Sequence, residues 1–336
     1  MKNGYELFVR PLLFSLDPET AHHVTMRLLR GASHFDVALR ALRLLRPLSK
    51  PTALFDLTFP NPIGLAAGLD KNGVALSAWA ALGFGFVEIG TVTAKAQPGN
   101  PKPRIFRLPG QQALINRLGF NNEGADAIAH RLAALRESGR WPAVPVGINI
   151  GKSKATPLDQ ATDDYLYSFR LLREFADYIT LNISSPNTPG LRELQGPEKL
   201  SELLHAISNE AGTAPKPLVV KISPDLSGGE LKAILAVCDE NGVSGIIATN
   251  TTLDHSSIAP QLDQAGGLSG APLREKSTAC VREIAARSTI PIIASGGIRD
   301  AESAHEKFQA GAQLIQLYTG LVYRGPQLLR EIMDRL

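Results

Sequence analysis

Three features of the sequence predict that this chain folds as a closed (β/α)8 barrel. Eight short apolar runs, rich in β-branched residues, are typical of strands buried on both faces. Helical patterns separate most of them, and several runs end in Asn, Lys, Ser, Thr or Gly. Strand ends build the active site of such a barrel, so these clusters predict a site. The runs lead to Lys71, Thr91, Asn149, Asn182, Lys221, Thr249, Gly296 and Tyr318.

Helices are expected in the segments between the strands. The segment 93–143 is too long for one crossover, so it predicts an inserted flap or hairpin followed by a helix over 125–137. A chain of 336 residues that is 44% hydrophobic can bury one large core, and no low-complexity linker divides it. The further helices are predicted over 163–175, 230–240, 276–287 and 302–310.

Residues 1–50 are predicted to form a helical segment outside the barrel domain, 51–336. They hold eight Lys or Arg against four acids, an excess of four, whereas the whole chain has net charge +3. Asp17-Pro18-Glu19 predicts a helix start, and an upstream apolar group, 5–16, is interrupted by Arg10 and Pro11. On the helix after Asp17 we expect a shared apolar face made by Ala21, Val24, Leu28 and Leu29.

This basic, amphipathic helical pair favours a position on a membrane surface. Neither apolar group is long enough to span a bilayer, and no signal-peptide pattern is present. The alternative, that the helices only pack across one end of the barrel, stays open.

Several other motifs are rejected. The segment 147–153, GINIGKS, resembles the tail of a phosphate-binding P-loop, but its first glycine is one residue too close. No G-x-G-x-x-G motif follows a strand, and the seven histidines form no metal-binding spacing, so we expect no metal. Cys238 and Cys280 both fall in helical patterns, which argues against disulfides and Cys-ligated centres.

Glycine-rich loops after the last two strands predict a phosphate site. They read Ser295-Gly-Gly-Ile298 and Tyr318-Thr-Gly320, with Gly267–Gly270 as a further wall. Barrels commonly bind phosphate at this position, because glycine lets backbone N–H groups approach closely.

The most informative segment is 181–195, LNISSPNTPGLRELQ. Pro186 and Pro189 prevent it from continuing as a strand or beginning a helix, so it must be an ordered loop that carries Ser185 and Asn187. Motifs at the other strand ends accompany it in a fixed order. They are GLAAGLDKN at 64–72, EIGT at 88–91, QPGNPKPRIFR at 97–107, INRLGFNN at 115–122, GINIGK at 147–152, VVKI at 219–222, ATNTTLD at 248–254, GGLSG at 266–270 and YTG at 318–320.

Together these motifs resemble the dihydroorotate dehydrogenases, flavin mononucleotide (FMN) enzymes of pyrimidine synthesis, from about residue 5 to the C-terminus. Ser185 and the N-terminal segment are similar to the membrane-associated, quinone-reducing class, because the soluble class generally uses cysteine as its base. The resemblance implies oxidation of dihydroorotate to orotate, hydride transfer to FMN and reoxidation by a membrane quinone, in de novo UMP synthesis. It also implies a peripheral enzyme at the cytoplasmic face of the inner membrane, on an anionic surface, without nucleic acid or an obligate protein partner.

The resemblance also implies roles for individual residues. Ser185 is expected as the base for the C5 proton, helped by Thr188 and, as a further catalytic residue, Phe120. The FMN-binding set is Ala67, Gly68, Thr91, Asn149, Asn182, Lys221, Thr249, Gly270, Gly297, Tyr318 and Thr319. The substrate-binding set is Lys71, Asn116, Arg117, Leu118, Gly119, Phe120, Asn182, Asn187, Asn250 and Thr251. The quinone set is His22, Arg107 and Tyr318.

Three alternatives remain at this point. A soluble-class dihydroorotate oxidase would use fumarate or NAD instead of a quinone. A Schiff-base aldolase or lyase would use Lys221 as its nucleophile. A non-catalytic phosphate-binding or membrane-docking protein would need only the N-terminal helices and the glycine loops.

Overall fold

A computed structural model describes residues 3–212 and 215–336, so Met1 and Lys2 of the predicted N-terminal segment lie outside the described residues. The barrel is closed, as predicted, and each of its eight strands pairs in parallel with the two strands beside it. In ring order they are β3 (Ile63–Leu65), β4 (Phe86–Val92), β7 (Val146–Ile150), β8 (Tyr178–Asn182), β9 (Leu218–Ile222), β10 (Gly245–Ala248), β12 (Ile292–Ser295) and β13 (Leu314–Leu317).

Helices connect the strands on the outside of the barrel. The helix α5 (Ala125–Glu137) has the predicted bounds, and the other four predicted helices form within three residues of theirs. The connecting helices are α4 (Leu76–Leu82), α6 (Ala161–Leu172), α7 (Pro197–Ala211), α8 (Gly228–Glu240), α9 (Arg274–Arg287) and α10 (Ala301–Gln309), with α11 (Thr319–Arg324) and α12 (Gln327–Met333) after the last strand.

Aromatic side chains fill the end of the barrel at which the strands begin. Phe86 and Tyr178 lie inside with Phe59, which belongs to a short hairpin, β1 (Thr52–Leu54) and β2 (Leu57–Phe59). A Cβ atom at Gly147 would lie 2.1 Å from the Tyr178 ring, so glycine is needed there to make room for the phenol. The interior at this end is therefore a packed core.

The predicted insertion forms a hairpin, β5 (Ile105–Leu108) and β6 (Ala113–Asn116). A third strand, β11 (Gly267–Gly270), pairs antiparallel with β6. The sequence predicted this glycine-rich segment only as a wall of the phosphate site. The small sheet brings the insertion and the loop after β10 together at the strand-end face of the barrel.

The N-terminal segment is helical, as predicted. Asp17 caps α2 (Pro18–Ser33) by accepting hydrogen bonds from the backbone N–H groups of Glu19 and Thr20. One expectation was wrong: Leu28 is 69% exposed and does not share the buried face of Ala21. Proline is tolerated near a helix start, so a π-helical turn (Tyr5–Val9) runs directly into α1 (Arg10–Phe14); a further helix, α3 (Asp36–Arg43), was missed.

A buried ion pair joins this segment to the insertion. Arg104 donates to Glu19 through Nη2 at 2.7 Å and through Nε at 3.2 Å, and both side chains are 7% exposed. Arg104 also donates to the carbonyls of Pro98 and Asn100. These contacts fix α2 against the loop that precedes β5.

We expect Glu19→Ala to lower the free energy of unfolding by about 3–5 kcal/mol, because the Arg104 guanidinium would stay buried without its partner. Burial acts to raise the pKa of Glu19, but Arg104 holds it below its ordinary value. The unfolded chain therefore binds the proton more readily, and this stabilisation, present at neutral pH, is lost as the pH falls through the lowered pKa. Chemical denaturation at pH 7 and pH 4 measures both effects. Exposed Glu137→Ala is the control, and equal losses in the two variants would contradict the assignment.

Within residues 3–212 and 215–336, no helix has both the length and the apolar character required to cross a membrane.

Candidate active site

A cavity of about 970 Å³, including its open mouth, lies where the barrel strands end. Its floor and walls come from seven of the eight strands or their following loops, and β6 and β11 add one side. The structure brings most of the predicted site residues to this cavity. They are Ala67, Gly68, Lys71, Thr91, Asn116, Leu118, Gly119, Phe120, Asn182, Ser185, Asn187, Lys221, Thr249, Asn250, Thr251, Gly270, Gly297, Tyr318 and Thr319.

Five predicted residues lie elsewhere. Asn149 and Thr188 are both buried and do not line the cavity. Arg117 is not among the residues that line the cavity. Its guanidinium donates to the carbonyls of Ala265 and Pro103 instead.

The remaining two, His22 and Arg107, belong to the predicted quinone set. His22 lines a second cavity of about 650 Å³ between α2 and the loop after β3. Arg107 donates to the carbonyls of Leu13 and Leu16 and lies 4.5 Å from the centre of the Phe14 ring. His22, Arg107 and Tyr318 therefore do not line one common cavity.

Lys71 lines both cavities and so separates them. Its Nζ donates to the Gly68 carbonyl at 2.6 Å. Burial lowers the pKa of Lys71 to about 8, with the charge of Arg104 acting in the same direction. Burial also lowers the pKa of His22 to about 3, so this imidazole is neutral at physiological pH.

Lys221 presents a cation to the main cavity from the end of β9. Its side chain is buried, and within the described residues its Nζ makes no hydrogen bond or ion pair. Burial lowers the pKa of Lys221, and only the charge of Glu88 raises it. An ammonium group without a protein partner is suited to an electron-rich ligand edge.

Ser185 lies in the loop after β8, at the cavity wall, and is 6% exposed. Its Oγ accepts a hydrogen bond from the backbone N–H of Asn187 at 3.2 Å, which fixes the hydroxyl. Asn187 is held in turn by its side-chain Nδ2, which donates to the Asn116 carbonyl. Oγ1 of Thr188 is buried and has no hydrogen-bond partner among the described residues.

The predicted phosphate loops come together at one side of the cavity. Gly297 has φ +74°, and a Cβ atom there would lie 2.2 Å from Cα of Arg274. A Cβ atom at Gly320 would lie 2.1 Å from the carbonyl oxygen of Ile298. Only glycine fits these two positions, so bare backbone borders this part of the cavity, as a phosphate-binding loop requires.

Sequence reasoning missed two polar residues inside the barrel. Glu88 on β4 is fully buried, and Gln316 on β13 is 1% exposed and lines the cavity. The signal for Glu88 was an acid within the apolar run FGFVEIGTV, and that for Gln316 was an amide within QLIQLY. A charge within a strand that is buried on both faces requires partners inside the barrel.

The fold and the site define a class: a (β/α)8 barrel with a deep polar cavity, a buried lysine side chain at the cavity wall and glycine-rich loops along one side. The family model of dihydroorotate dehydrogenase matches residues 50–336, and the chain belongs to that family.

Relatives agree with this membership over nearly the whole chain. A protein of Gloeobacter violaceus named "Dihydroorotate dehydrogenase (quinone)" is 51% identical over 334 residues, covering 97% of this chain and 92% of its own. One of Pseudomonas syringae pv. syringae with the same name is 48% identical, covering 97% and 96%. The crystal structure of the Eimeria tenella enzyme in complex with ferulenol superimposes with a TM-score of 0.84 at 39% identity, covering 95% of this chain and 90% of that one.

Proposed function

We propose that this chain is an FMN-dependent oxidoreductase that converts dihydroorotate to orotate and passes the electrons to a membrane quinone, in pyrimidine synthesis. The observation that carries the proposal is one cavity in which Ser185, Lys221, the amide side chains and the glycine loops meet. Full-length relatives named for the quinone reaction support it over the soluble-class and aldolase alternatives. In this proposal residues 1–50 serve the membrane and quinone, and residues 51–336 are the catalytic barrel.

The cavity fits flavin mononucleotide at both ends. Backbone at Gly297 and Gly320 suits the phosphate, and Lys221 suits an edge of the ring system that gains negative charge on reduction. Bound there, FMN supplies the hydride acceptor for the substrate C6 hydrogen. The proposed binding set is completed by Asn149 and Asn182, which are hydrogen-bonded to Thr91, and by Ala67, Gly68, Thr91, Thr249, Gly270, Tyr318 and Thr319.

The substrate edge is proposed to lie against the amide side chains. Asn116, Asn187 and Asn250 offer donors and acceptors that match the alternating N–H and C=O groups of the pyrimidine ring. Lys71 can neutralise the substrate carboxylate from its position between the two cavities. Leu118, Gly119, Phe120 and Thr251 would shape the remaining walls.

Ser185 is proposed as the base that removes the C5 proton. Its oxygen accepts the Asn187 N–H and is shielded from bulk water, so the oxygen is held at the cavity wall. A serine without a histidine partner needs a relay for its proton, and the unpartnered Oγ1 of Thr188 three residues later offers one.

The quinone is proposed to approach through the second cavity. It lies under α2, is lined by neutral His22 and shares Lys71 with the main cavity. Arg107 is proposed to shape the entrance of the quinone route, where it donates to the carbonyls of Leu13 and Leu16. Tyr318, which lines the main cavity, is proposed to lie at the inner end of this route. Residues 1–50 would bring this entrance to an anionic membrane surface, at the cytoplasmic face of the inner membrane.

The test is turnover of dihydroorotate by the purified protein with a quinone, with fumarate and with NAD as separate acceptors. We expect a yellow protein with a flavin spectrum and rapid turnover with the quinone alone. Preference for fumarate or NAD would indicate the soluble-class reaction. A colourless protein that borohydride traps on Lys221 would indicate a Schiff-base enzyme.

Replacing each amide of the substrate set should raise the KM for dihydroorotate and leave flavin content unchanged. For Asn116→Ala, Asn187→Ala and Asn250→Ala we expect losses of about 1–3 kcal/mol each in kcat/KM, because a buried ring group would lose its partner. Asn241→Ala, at the end of α8, is the control. Colourless variants that still bind orotate normally would place these residues at the cofactor instead.

Orotate affinity should depend on pH through Lys71. With its pKa near 8 in the free protein, Lys71 is charged at pH 7. Above pH 8, Lys71 must take up a proton before it can pair with the substrate carboxylate. We expect the Kd for orotate to rise by about tenfold per pH unit above 8. Titration of wild type and Lys71→Met from pH 6 to 9.5 measures this. An unchanged slope in the variant would assign the proton to another group.

A further inference from the structure

Glu88 is a charged residue at the centre of the barrel, 0% exposed, and does not line the cavity. Its Oε1 accepts from Asn149 Nδ2 at 2.9 Å. Its Oε2 accepts from Gln316 Nε2 at 2.7 Å, from the Tyr178 hydroxyl at 3.0 Å and from Thr180 Oγ1 at 3.3 Å. The two amide nitrogens can only donate, so each oxygen of Glu88 serves as an acceptor, as in a carboxylate.

One arm of this network runs from Glu88 to the substrate side of the cavity. Because Asn149 turns its nitrogen toward Glu88, its oxygen faces Thr91 and accepts that hydroxyl proton at 2.6 Å. The Thr91 oxygen can then accept from Asn182 Nδ2, at 2.8 Å. The oxygen of Asn182 in turn accepts from Asn250 Nδ2 at 3.3 Å. The outer part of this arm has backbone support as well: the Ser184 N–H donates to the Asn182 oxygen at 3.3 Å, and the Thr251 N–H donates to the Asn250 oxygen at 2.8 Å.

The second arm is short. Gln316 gives its nitrogen to Glu88, so its Oε1 faces the other way. This oxygen is buried, has no partner among the described residues, and belongs to a side chain that lines the cavity. The ligands of the cavity therefore meet an acceptor at this position.

We propose that Glu88 is a positioning residue that orients Asn149, Thr91 and Gln316 and, together with the backbone donors, Asn182 and Asn250, and so sets which atoms face the flavin and the pyrimidine. The inference rests on the proposed function. A carboxylate is required because it is the one side chain of this length that accepts on both oxygens. The network is almost wholly buried, so water does not compensate for a reversed amide.

Glu88→Gln separates this role from simple packing. A glutamine of the same shape accepts on one side and donates on the other, so one arm must reverse. If Gln316 turns, the cavity gains a donor in place of an acceptor. If Asn149 turns, the Thr91 hydroxyl faces two donors and loses its acceptor.

The swapped variant Glu88→Gln/Gln316→Glu restores the original pattern. The amide introduced at position 88 would accept from Asn149 and donate to the carboxylate introduced at position 316. The second oxygen of that carboxylate again offers an acceptor to the cavity. Tyr178→Phe is the control, because it removes a donor to the carboxylate of Glu88 and leaves both arms intact. Thermal unfolding is recorded for every variant.

The measurements are the Kd for orotate from the flavin spectrum and the fraction of FMN retained after gel filtration. We expect Glu88→Gln to lose about tenfold or more in one of them, the swapped variant to recover most of that loss, and Tyr178→Phe to stay within about threefold of wild type. Wild-type affinity in Glu88→Gln, no recovery in the swapped variant, or an equal loss in Tyr178→Phe would overturn the inference.

If Glu88→Gln does not fold, Gln316→Met is measured in its place, because it removes the second arm and keeps Glu88. Normal binding of both ligands by Gln316→Met would overturn the inference. A wild-type protein that binds neither FMN nor orotate would instead overturn the proposed function, and this inference with it.

Discussion

Ser185→Ala is expected to slow reduction of the bound flavin by dihydroorotate by about 10²–10⁴-fold. Only this half-reaction needs a base, because the C5 proton must leave while hydride leaves C6. Reoxidation by quinone should stay near the wild-type rate, since Ser185 faces the main cavity and not the second one. Among the described residues the hydroxyl makes one hydrogen bond, which it accepts from the Asn187 N–H, so its loss should leave the loop in place.

Stopped-flow bleaching of the flavin absorbance measures the first half-reaction, and mixing the reduced protein with a quinone measures the second. Ser153→Ala, a buried serine whose Oγ accepts the Lys95 N–H, is the matched control. Ser185→Cys should keep partial activity with its pH dependence shifted, because a thiol ionises more readily than a hydroxyl. An unchanged reduction rate in Ser185→Ala would remove Ser185 from the mechanism.

The parts of the fold that sequence predicted are those governed by local patterns. Each barrel strand is an apolar run that ends in polar residues or glycine, and Asp17-Pro18-Glu19 carries a complete helix-start signal. Because the strands of the closed barrel are parallel, their polar ends meet at one face. Ser185 and Lys221, on adjacent strands or the loop after them, therefore reach one cavity although the intervening sequence is long.

The parts that sequence did not predict depend on contacts between distant segments. Gly267–Gly270 has the composition of a turn, and it becomes a strand because β6 offers it an edge. Arg117 lies in a site motif, but nearby carbonyls take its guanidinium away from the cavity. The sequence marks Glu88 as an unusual acid within an apolar strand. Its hydrogen-bond partners lie on three other strands, so they become known only from the structure.

Exposed apolar side chains are concentrated in the N-terminal segment, residues 1–50. Among the described residues, ten of the thirteen large hydrophobic side chains with high exposure lie within residues 1–50. Phe8 and Leu12 are 71% and 72% exposed on the first helical turns. A patch of this kind marks an interaction surface, and the same segment of the sequence holds an excess of basic residues.

Phe8→Ser/Leu12→Ser should therefore abolish binding to anionic vesicles and activity with long-chain quinones. Burying each side chain in lipid contributes about 1.5–3 kcal/mol, so the pair should weaken vesicle binding by roughly 10²-fold or more. Reversing Arg40 and Arg43 to Glu should have a separate, salt-dependent effect, because it acts through charge. Point variants are preferable to deletion, since Tyr5 and Glu19 fasten this segment to the barrel.

Vesicle flotation at low and high salt measures binding, and turnover with a long-chain and a short-chain quinone measures access. Leu253→Ser, a 52% exposed residue after β10, is the matched control for loss of an exposed apolar group. Dihydroorotate should still bleach the flavin in every variant, because the main cavity is unchanged. Normal flotation by both the apolar and the charge-reversed proteins would refute the membrane proposal. Normal long-chain quinone reduction by a protein that no longer floats would refute the route through the second cavity, because quinone entry from lipid requires the segment to be docked.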